Sequence, residues 1–444
     1  MLSRAVAVNA VGHLEIAGCD SVSLAKQYGT PLYIMNEDII RLNCRRYKNA
    51  FDKSGYPNWR VAYAGKAFLS AWICQVIGQE GLNLDVVSGG ELYTALRAGF
   101  PAQRIVFHGS NKSRDEVMMG LEARVGRFVV DNNEEIDIIQ RAAKKLRVKA
   151  RVLLRVTPGV EAHTHEYVET GVLDTKFGFN IDNGDALRAV EKVMQCDRLT
   201  YRGIHCHIGS QITRLDGPRI AAERVVEFMR VLSISLGLNT PELDLGGGLG
   251  VRYVADDDPP TIDRYIQEIS STVRSECERA GLELPVLVVE PGRSIVAEAG
   301  TTLYTVGAIK KIPGVRTYVS VDGGMTDNPR YALYGAQYEA IVANRASSAV
   351  EQSVCLAGKC CESGDIVIKQ AQLAACDSGD LIAVFGTGAY NYSMASNYNR
   401  ITRPAVVAVS KGNSRLVVRR ETFEDLVATD CMLANSSKQA VAQN

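Results

Sequence analysis

From about residue 36 to residue 298 short apolar runs alternate with longer stretches whose apolar positions recur every three or four residues. The runs fall at 61–64, 84–87, 104–108, 127–130, 151–156, 202–207, 242–245 and 286–290, and their length predicts strands. Helical spacing fills most of the gaps, as in 134–147, where Ile136, Ile139, Ala143 and Leu146 share a face. Ser113-Arg114-Asp115-Glu116 and Asp131-Asn132-Asn133-Glu134 read as helix starts, a short side-chain acceptor followed by acids for the first turn. Eight βα units over roughly 250 residues is the size of a (β/α)8, TIM-like barrel. A doubly wound open sheet has the same alternation, so the pattern favours the barrel without proving it.

After residue 300 the texture changes. Strand-like runs at 302–309, 317–321, 338–342, 353–357, 365–369, 381–385 and 404–409 follow one another without long helical patterns. Turn signals such as Asp322-Gly323-Gly324 and Gly412-Asn413 separate them, which predicts an all-β module of sandwich or small-barrel type. Leu14-Glu15-Ile16 and Leu32-Tyr33-Ile34 are also strand-like and fit either module. The tail from Ala434 to Asn444 is small and polar, as expected of a frayed end.

Composition narrows the classes. Fifty basic and fifty acidic residues cancel, so no global field favours nucleic acid or an anionic membrane. No apolar stretch approaches the roughly 20 residues of a membrane span, and Met1 to Ala10 lacks the pattern of a secretory signal. Eleven cysteines without Cys-x-x-Cys spacing suit reduced thiols and a cytoplasmic location, and no metal site is expected.

The chemistry-bearing residues gather at the C-terminal ends of the expected barrel strands, where such barrels place catalysis. Lys66 follows the first run, Asp85 to Ser88 end the second, and His108 ends the third. Arg155 lies on the fifth, His207 ends the sixth, Gly246-Gly247-Gly248 follow the seventh, and Glu290 closes the eighth. A lysine at a strand mouth suits Schiff-base chemistry, because desolvation favours its neutral amine. Gly246 to Gly250 and Gly292 would let backbone N–H groups approach a phosphate, with Ser210 adding a hydroxyl. An imidazole such as His207 can stack on a ring, whereas its neighbour His205, on the same face, reads as a hydrogen-bonded core histidine. A carboxylate such as Glu290, facing a pyridine nitrogen, would keep it protonated and make the ring an electron sink. Together these describe a site for pyridoxal 5'-phosphate (PLP), with Glu290 pointing to decarboxylation and away from racemisation.

With these motifs assembled, the chain resembles the diaminopimelate decarboxylases, a family of fold-type III PLP enzymes, from about residue 26 to residue 400. The barrel carries Tyr63-Ala64-Gly65-Lys66-Ala67-Phe68, His163-Thr164-His165-Glu166-Tyr167, His205-Cys206-His207-Ile208-Gly209-Ser210 and Glu290-Pro291-Gly292-Arg293. The more selective motifs follow: Asp322-Gly323-Gly324-Met325, Asp327-Asn328-Pro329-Arg330, Ala332-Leu333-Tyr334-Gly335, Cys361-Glu362-Ser363-Gly364-Asp365 and Gly388-Ala389-Tyr390. The resemblance implies a PLP-binding barrel over 36–298 and a β domain built from 1–35 together with 299–444, in a homodimer. It implies that Lys66 carries the cofactor, His207 stacks on it, and Asp85, Ser210, Gly247, Gly248, Glu290, Pro291, Gly292, Arg293 and Tyr390 help to hold it. Arg293, Arg330, Tyr334, Glu362 and Tyr390 would contact substrate. Cys361 would supply the final proton, and Cys361 and Glu362 would complete the partner's site.

The residue types suit such a substrate. Its distal end is a zwitterion, whose carboxylate calls for guanidinium forks (Arg293, Arg330) and whose ammonium calls for a carboxylate (Glu362). The expected activity is decarboxylation of meso-2,6-diaminopimelate at its D-centre, the last step of lysine biosynthesis. The rivals are a related decarboxylase acting on a carboxylated polyamine and a non-catalytic PLP-binding homologue. The long connection from Gly159 to Gly178 is a candidate lid.

Overall fold

The computed structural model describes residues 6–160 and 176–433. The expected lid therefore lies largely outside the described residues, as do the motif at His163 to Tyr167 and the tail from Ala434.

Eight parallel strands form the barrel: Trp59–Ala64, Asn83–Val86, Ile105–Phe107, Arg127–Val130, Ala150–Thr157, Leu199–His205, Glu242–Asp244 and Val286–Val289. Neighbours in this order pair in parallel, and the last pairs with the first through Leu287 opposite Trp59. That closure excludes the open sheet. The sixth strand runs about two residues earlier than expected, because Leu199 to Tyr201 pair with Ala150 to Val152 before a register shift at Gly203. His207 consequently stands beyond the strand rather than at its end, as does Glu290 beyond the eighth.

The connecting helices form where the sequence supplies caps. Asn133–Leu146 begins at Asn132, whose side chain accepts from Glu135 N–H, and buries Ile136, Ile139 and Ala143. Arg114–Ala123 starts with a full capping box between Ser113 and Glu116. Inside the barrel, Val106, Val129 and Leu153 pack together. The floor is ionic: buried Glu242 takes Arg127 in a two-pronged contact, Arg202 at 3.0 Å and Arg60 at 3.3 Å.

The second module is organised by one long strand, Gly300–Ile312, which pairs antiparallel with Arg316–Val321, Leu381–Phe385 and the N-terminal strand Leu32–Asn36. Leu32–Asn36 also pairs in parallel with Ala405–Ser410, so a segment from the chain's start lies inside a sheet made mostly from its end. All five of its residues are buried, and alternation divides them. Leu32 and Ile34 face the module's own core, whereas Tyr33 and Met35 face the barrel core. Expected strand 338–342 is shorter, Ala340–Val342, because Tyr338 turns to hydrogen-bond Arg330. Asn413–Val418, a hairpin partner of Ala405–Ser410 beyond the turn at Gly412, is a strand the apolar pattern did not reveal. Among the described residues no helix is long and apolar enough to cross a membrane.

Candidate active site

A cavity of about 900 Å³ opens at the C-terminal ends of the barrel strands and is bounded on one side by the β module. Lys66, Asp85, His207, Ser210, Gly247, Gly248, Glu290, Gly292, Arg293, Arg330, Tyr334 and Tyr390 all line it. Residues spread over more than 300 positions are thus brought to one wall. Three expected site residues are not on it. Pro291 is buried, its carbonyl accepting from Ala64 N–H at 3.1 Å. Cys361 and Glu362 are exposed on a loop elsewhere. That loop is pinned by buried Asp365, whose carboxylate accepts from Met325 N–H at 2.6 Å and Cys360 N–H at 2.7 Å.

Lys66 sits on the short 3-10 turn Gly65–Ala67 that ends the first strand. Its side chain is exposed toward the cavity. The turn itself is held from the β module: Ala67 carbonyl accepts from Tyr390 N–H at 2.8 Å and Ser393 Oγ at 2.7 Å. Tyr390 reaches this position with φ of 61°, a left-handed conformation costly for a tyrosine and typical of a functional site.

Glu290 is the electrostatic centre. His108 Nε2 lies 2.7 Å from its Oε1 and His205 Nε2 3.2 Å from its Oε2, with the two rings edge to face. Burial alone would raise the Glu290 pKa, but the two imidazoles overcome it and hold the carboxyl well below its usual range. Burial, with the nearby Glu290 charge, pushes Asp85 up to about 7 and Asp244 well above the carboxylate range. The surroundings thus favour the charge of Glu290 and disfavour that of the two acids beside it. His205 is indeed a buried, hydrogen-bonded histidine, yet it also lines the cavity. Its ligand atom, with those of His108 and Glu290, falls within a 4.8 Å cluster of the kind that can hold a metal.

Burial, reinforced by the Lys66 and Arg155 cations, drives His207 well below the ordinary histidine value, so its ring is neutral. Its Nδ1 accepts from Gly247 N–H at 3.3 Å. The glycine loop needs glycine: Gly248 has φ of +113°, and a Cβ there would collide with the Gly209 carbonyl. This cradle, the exposed lysine and the ionised Glu290 fit a phosphorylated aldehyde with a ring nitrogen.

Arg293 and Arg330 are only 7% and 6% exposed, yet no carboxylate among the described residues lies within ion-pair distance of either. Their partners are neutral. Arg293 donates to Tyr253 Oη at 2.6 Å and Ser210 Oγ at 2.8 Å, and Arg330 donates to Tyr338 Oη at 2.7 Å. Arg330 also stacks on the Tyr253 ring, and Arg293 on the Tyr390 ring, each at 4.8 Å.

Sequence reasoning missed Tyr253, Tyr338 and Asp244. Asp244 could have been found as the last residue of the seventh strand. The tyrosines carry no local signal, since they lie in irregular segments.

A parallel barrel with this lysine, glycine cradle and buried carboxylate defines a PLP-dependent decarboxylase. The family described as "Pyridoxal-dependent decarboxylase, pyridoxal binding domain" matches residues 37–297. A diaminopimelate decarboxylase of Bacillus subtilis is 52% identical, over 97% of this chain and 98% of that one. One from Bacillus methanolicus is 49% identical over 96% and 98%. The crystal structure of diaminopimelate decarboxylase from M. jannaschii in complex with L-lysine superposes with a TM-score of 0.90 at 37% identity, covering 97% of this chain and 99% of that one. The chain belongs to the diaminopimelate decarboxylase family.

Proposed function

We propose that this enzyme decarboxylates meso-2,6-diaminopimelate at its D-centre, giving L-lysine and CO2, with the site residues acting as follows. The observation that carries the substrate is the pair of buried guanidiniums, Arg293 and Arg330, without an acid partner among the described residues in the cavity of Lys66. An unpaired buried charge costs several kcal/mol. A distal carboxylate offsets that cost, and a chain ending in an ammonium alone does not. The L-lysine bound to the M. jannaschii relative carries such a carboxylate.

Lys66 would hold pyridoxal phosphate covalently, Gly247, Gly248, Gly292 and Ser210 its phosphate, His207 its ring face, and Glu290 its ring nitrogen, with Asp85 and Tyr390 nearby. Pro291 would act only through its backbone. When bound, the cofactor accepts the electron pair left by the departing CO2. Arg293 and Arg330 grip the distal carboxylate, and Tyr334 and Tyr390 wall the chain between the two heads. That grip presents the D-centre to the cofactor end of the cavity and leaves the L-centre out of reach.

The remaining groups come from a second subunit. Cys361 and Glu362 are exposed and lie off the cavity of their own chain. In a homodimer, the partner's copies would enter the site. The Cys361 Sγ proton would go to the carbon that lost CO2, and the Glu362 carboxylate would face the distal ammonium. None of the eleven cysteines forms a disulfide, which suits a cytoplasmic enzyme.

The test is an assay of purified protein with pyridoxal phosphate and meso-diaminopimelate, with ornithine and a carboxylated polyamine as controls. Lysine and CO2 from the first substrate alone are expected. Turnover of the polyamine in preference would overturn the reading.

A further inference from the structure

We infer that Tyr253 is a positioning residue that sets specificity for the distal carboxylate, by holding both guanidiniums without neutralising them. The inference rests on the substrate reading above and extends it to a cavity-lining residue that acts through the two guanidiniums. Two buried cations in one wall repel each other, and the simplest way to hold them would be an intervening carboxylate. An acid there would be paired already, and substrate would have to displace it. Tyr253 solves the problem with neutral groups. Its Oη accepts from Arg293 Nη1 at 2.6 Å, and its ring face lies 4.8 Å from the Arg330 guanidinium carbon. A phenol oxygen and an aromatic quadrupole both stabilise a cation while leaving its charge in place.

The ring is held from several directions. Tyr253 and Val254 N–H groups donate to Asp257 Oδ2 at 2.8 and 3.1 Å, which fixes the irregular segment after the glycine loop. Tyr338 packs edge-on at 5.6 Å, and its own hydroxyl takes Arg330. Behind it stands Gly386, where a Cβ would sit 3.1 Å from the ring. The two guanidiniums are therefore spaced by a rigid plane, and each keeps donors for the ligand.

The discriminating probes are L-lysine and cadaverine, which differ by the distal carboxylate, titrated into holoenzyme and followed by cofactor absorbance. Tyr253→Phe removes only the hydroxyl and should weaken L-lysine on the order of tenfold, as expected for losing a charge-assisted hydrogen bond. Cadaverine affinity should stay unchanged. Tyr253→Leu also removes the aromatic face and should weaken L-lysine further, with Phe restoring part of the loss. With meso-diaminopimelate the same variants should raise KM while kcat stays near wild type. Equal losses for L-lysine and cadaverine, or a fall in kcat at unchanged KM, would mean a merely structural role and overturn the proposal. Wild-type enzyme that fails to convert meso-diaminopimelate would instead overturn the reading beneath it.

Discussion

His108 Nε2 sits 2.7 Å from Glu290 Oε1, both groups buried, so a histidine from the end of the third strand secures the ionised form of Glu290. Burial disfavours the His108 cation, but Asp85 and Glu290 raise its pKa above the ordinary 6.5. A raised folded-state pKa contributes stability that is fully present below the unfolded value and is lost as pH rises through the folded one. His108→Gln should therefore lose about 2 kcal/mol at pH well below 6.5 and much less well above it. Denaturant titrations at the two pH extremes check this; a pH-independent difference would show that charge is not what His108 supplies.

Glu290→Gln keeps the shape and discards the charge. Without the carboxylate the ring nitrogen has no anion to hold its proton. kcat should fall on the order of 10²- to 10³-fold, a loss typical of removing a preorganised electrostatic group. KM for substrate should change little, because Arg293 and Arg330 are untouched. Steady-state kinetics at saturating cofactor separate the two constants.

Cys361→Ala should slow turnover by about 10²-fold or more, the usual worth of a positioned acid, while leaving cofactor absorbance intact. Lys66→Ala should lose the covalent cofactor signal. If Cys361 serves the partner's site, mixing the two inactive variants and allowing subunits to exchange restores activity, since some sites then combine intact Lys66 with intact Cys361. No recovery after demonstrated exchange would place Cys361 and Lys66 in one subunit's site.

The barrel floor predicts acid sensitivity. Burial opposes the Glu242 charge, yet Arg127, Arg60 and Arg202 bring its pKa below the usual carboxylate value. A depressed pKa contributes stability present above the unfolded value and lost as pH falls through the folded one. Glu242→Gln leaves three guanidiniums facing one another and should cost about 3–5 kcal/mol at neutral pH. The gap to wild type should close in acid, as read from thermal midpoints across pH. Cofactor spectra of the folded fraction should be unaffected, since the floor lies at the far end of the barrel.

Barrel architecture was legible because each buried strand is a short apolar run and each helix announces itself with a cap, as at Asn132 and Ser113. The strand ends were legible for the same reason, which put Lys66, His207 and Glu290 on one rim. Asn413–Val418 was not, because it is an edge strand largely exposed to solvent, polar over its first half and apolar only at Leu416-Val417-Val418. Tyr253 and Tyr338 were invisible for another reason: what matters about them is a contact with Arg293 or Arg330, and nothing in the local sequence encodes it.

The placement of Leu32–Asn36 constrains how the molecule is made. Along the chain the entire barrel is an insertion between this strand and its neighbour Gly300–Ile312, and its other neighbour, Ala405–Ser410, is synthesised later still. On the ribosome Tyr33 and Met35 can dock on a finished barrel, while Leu32 and Ile34 have only Leu14, Ile16, Cys19 and Leu24 beside them until Leu303 and the later strands complete their core. A chain stopped after residue 298 would present that strand with both edges bare and one apolar face uncovered, an invitation to pair with other chains. A barrel cut free of this strand would in turn expose the face that Tyr33 and Met35 cover, so the two modules are tied through one short segment.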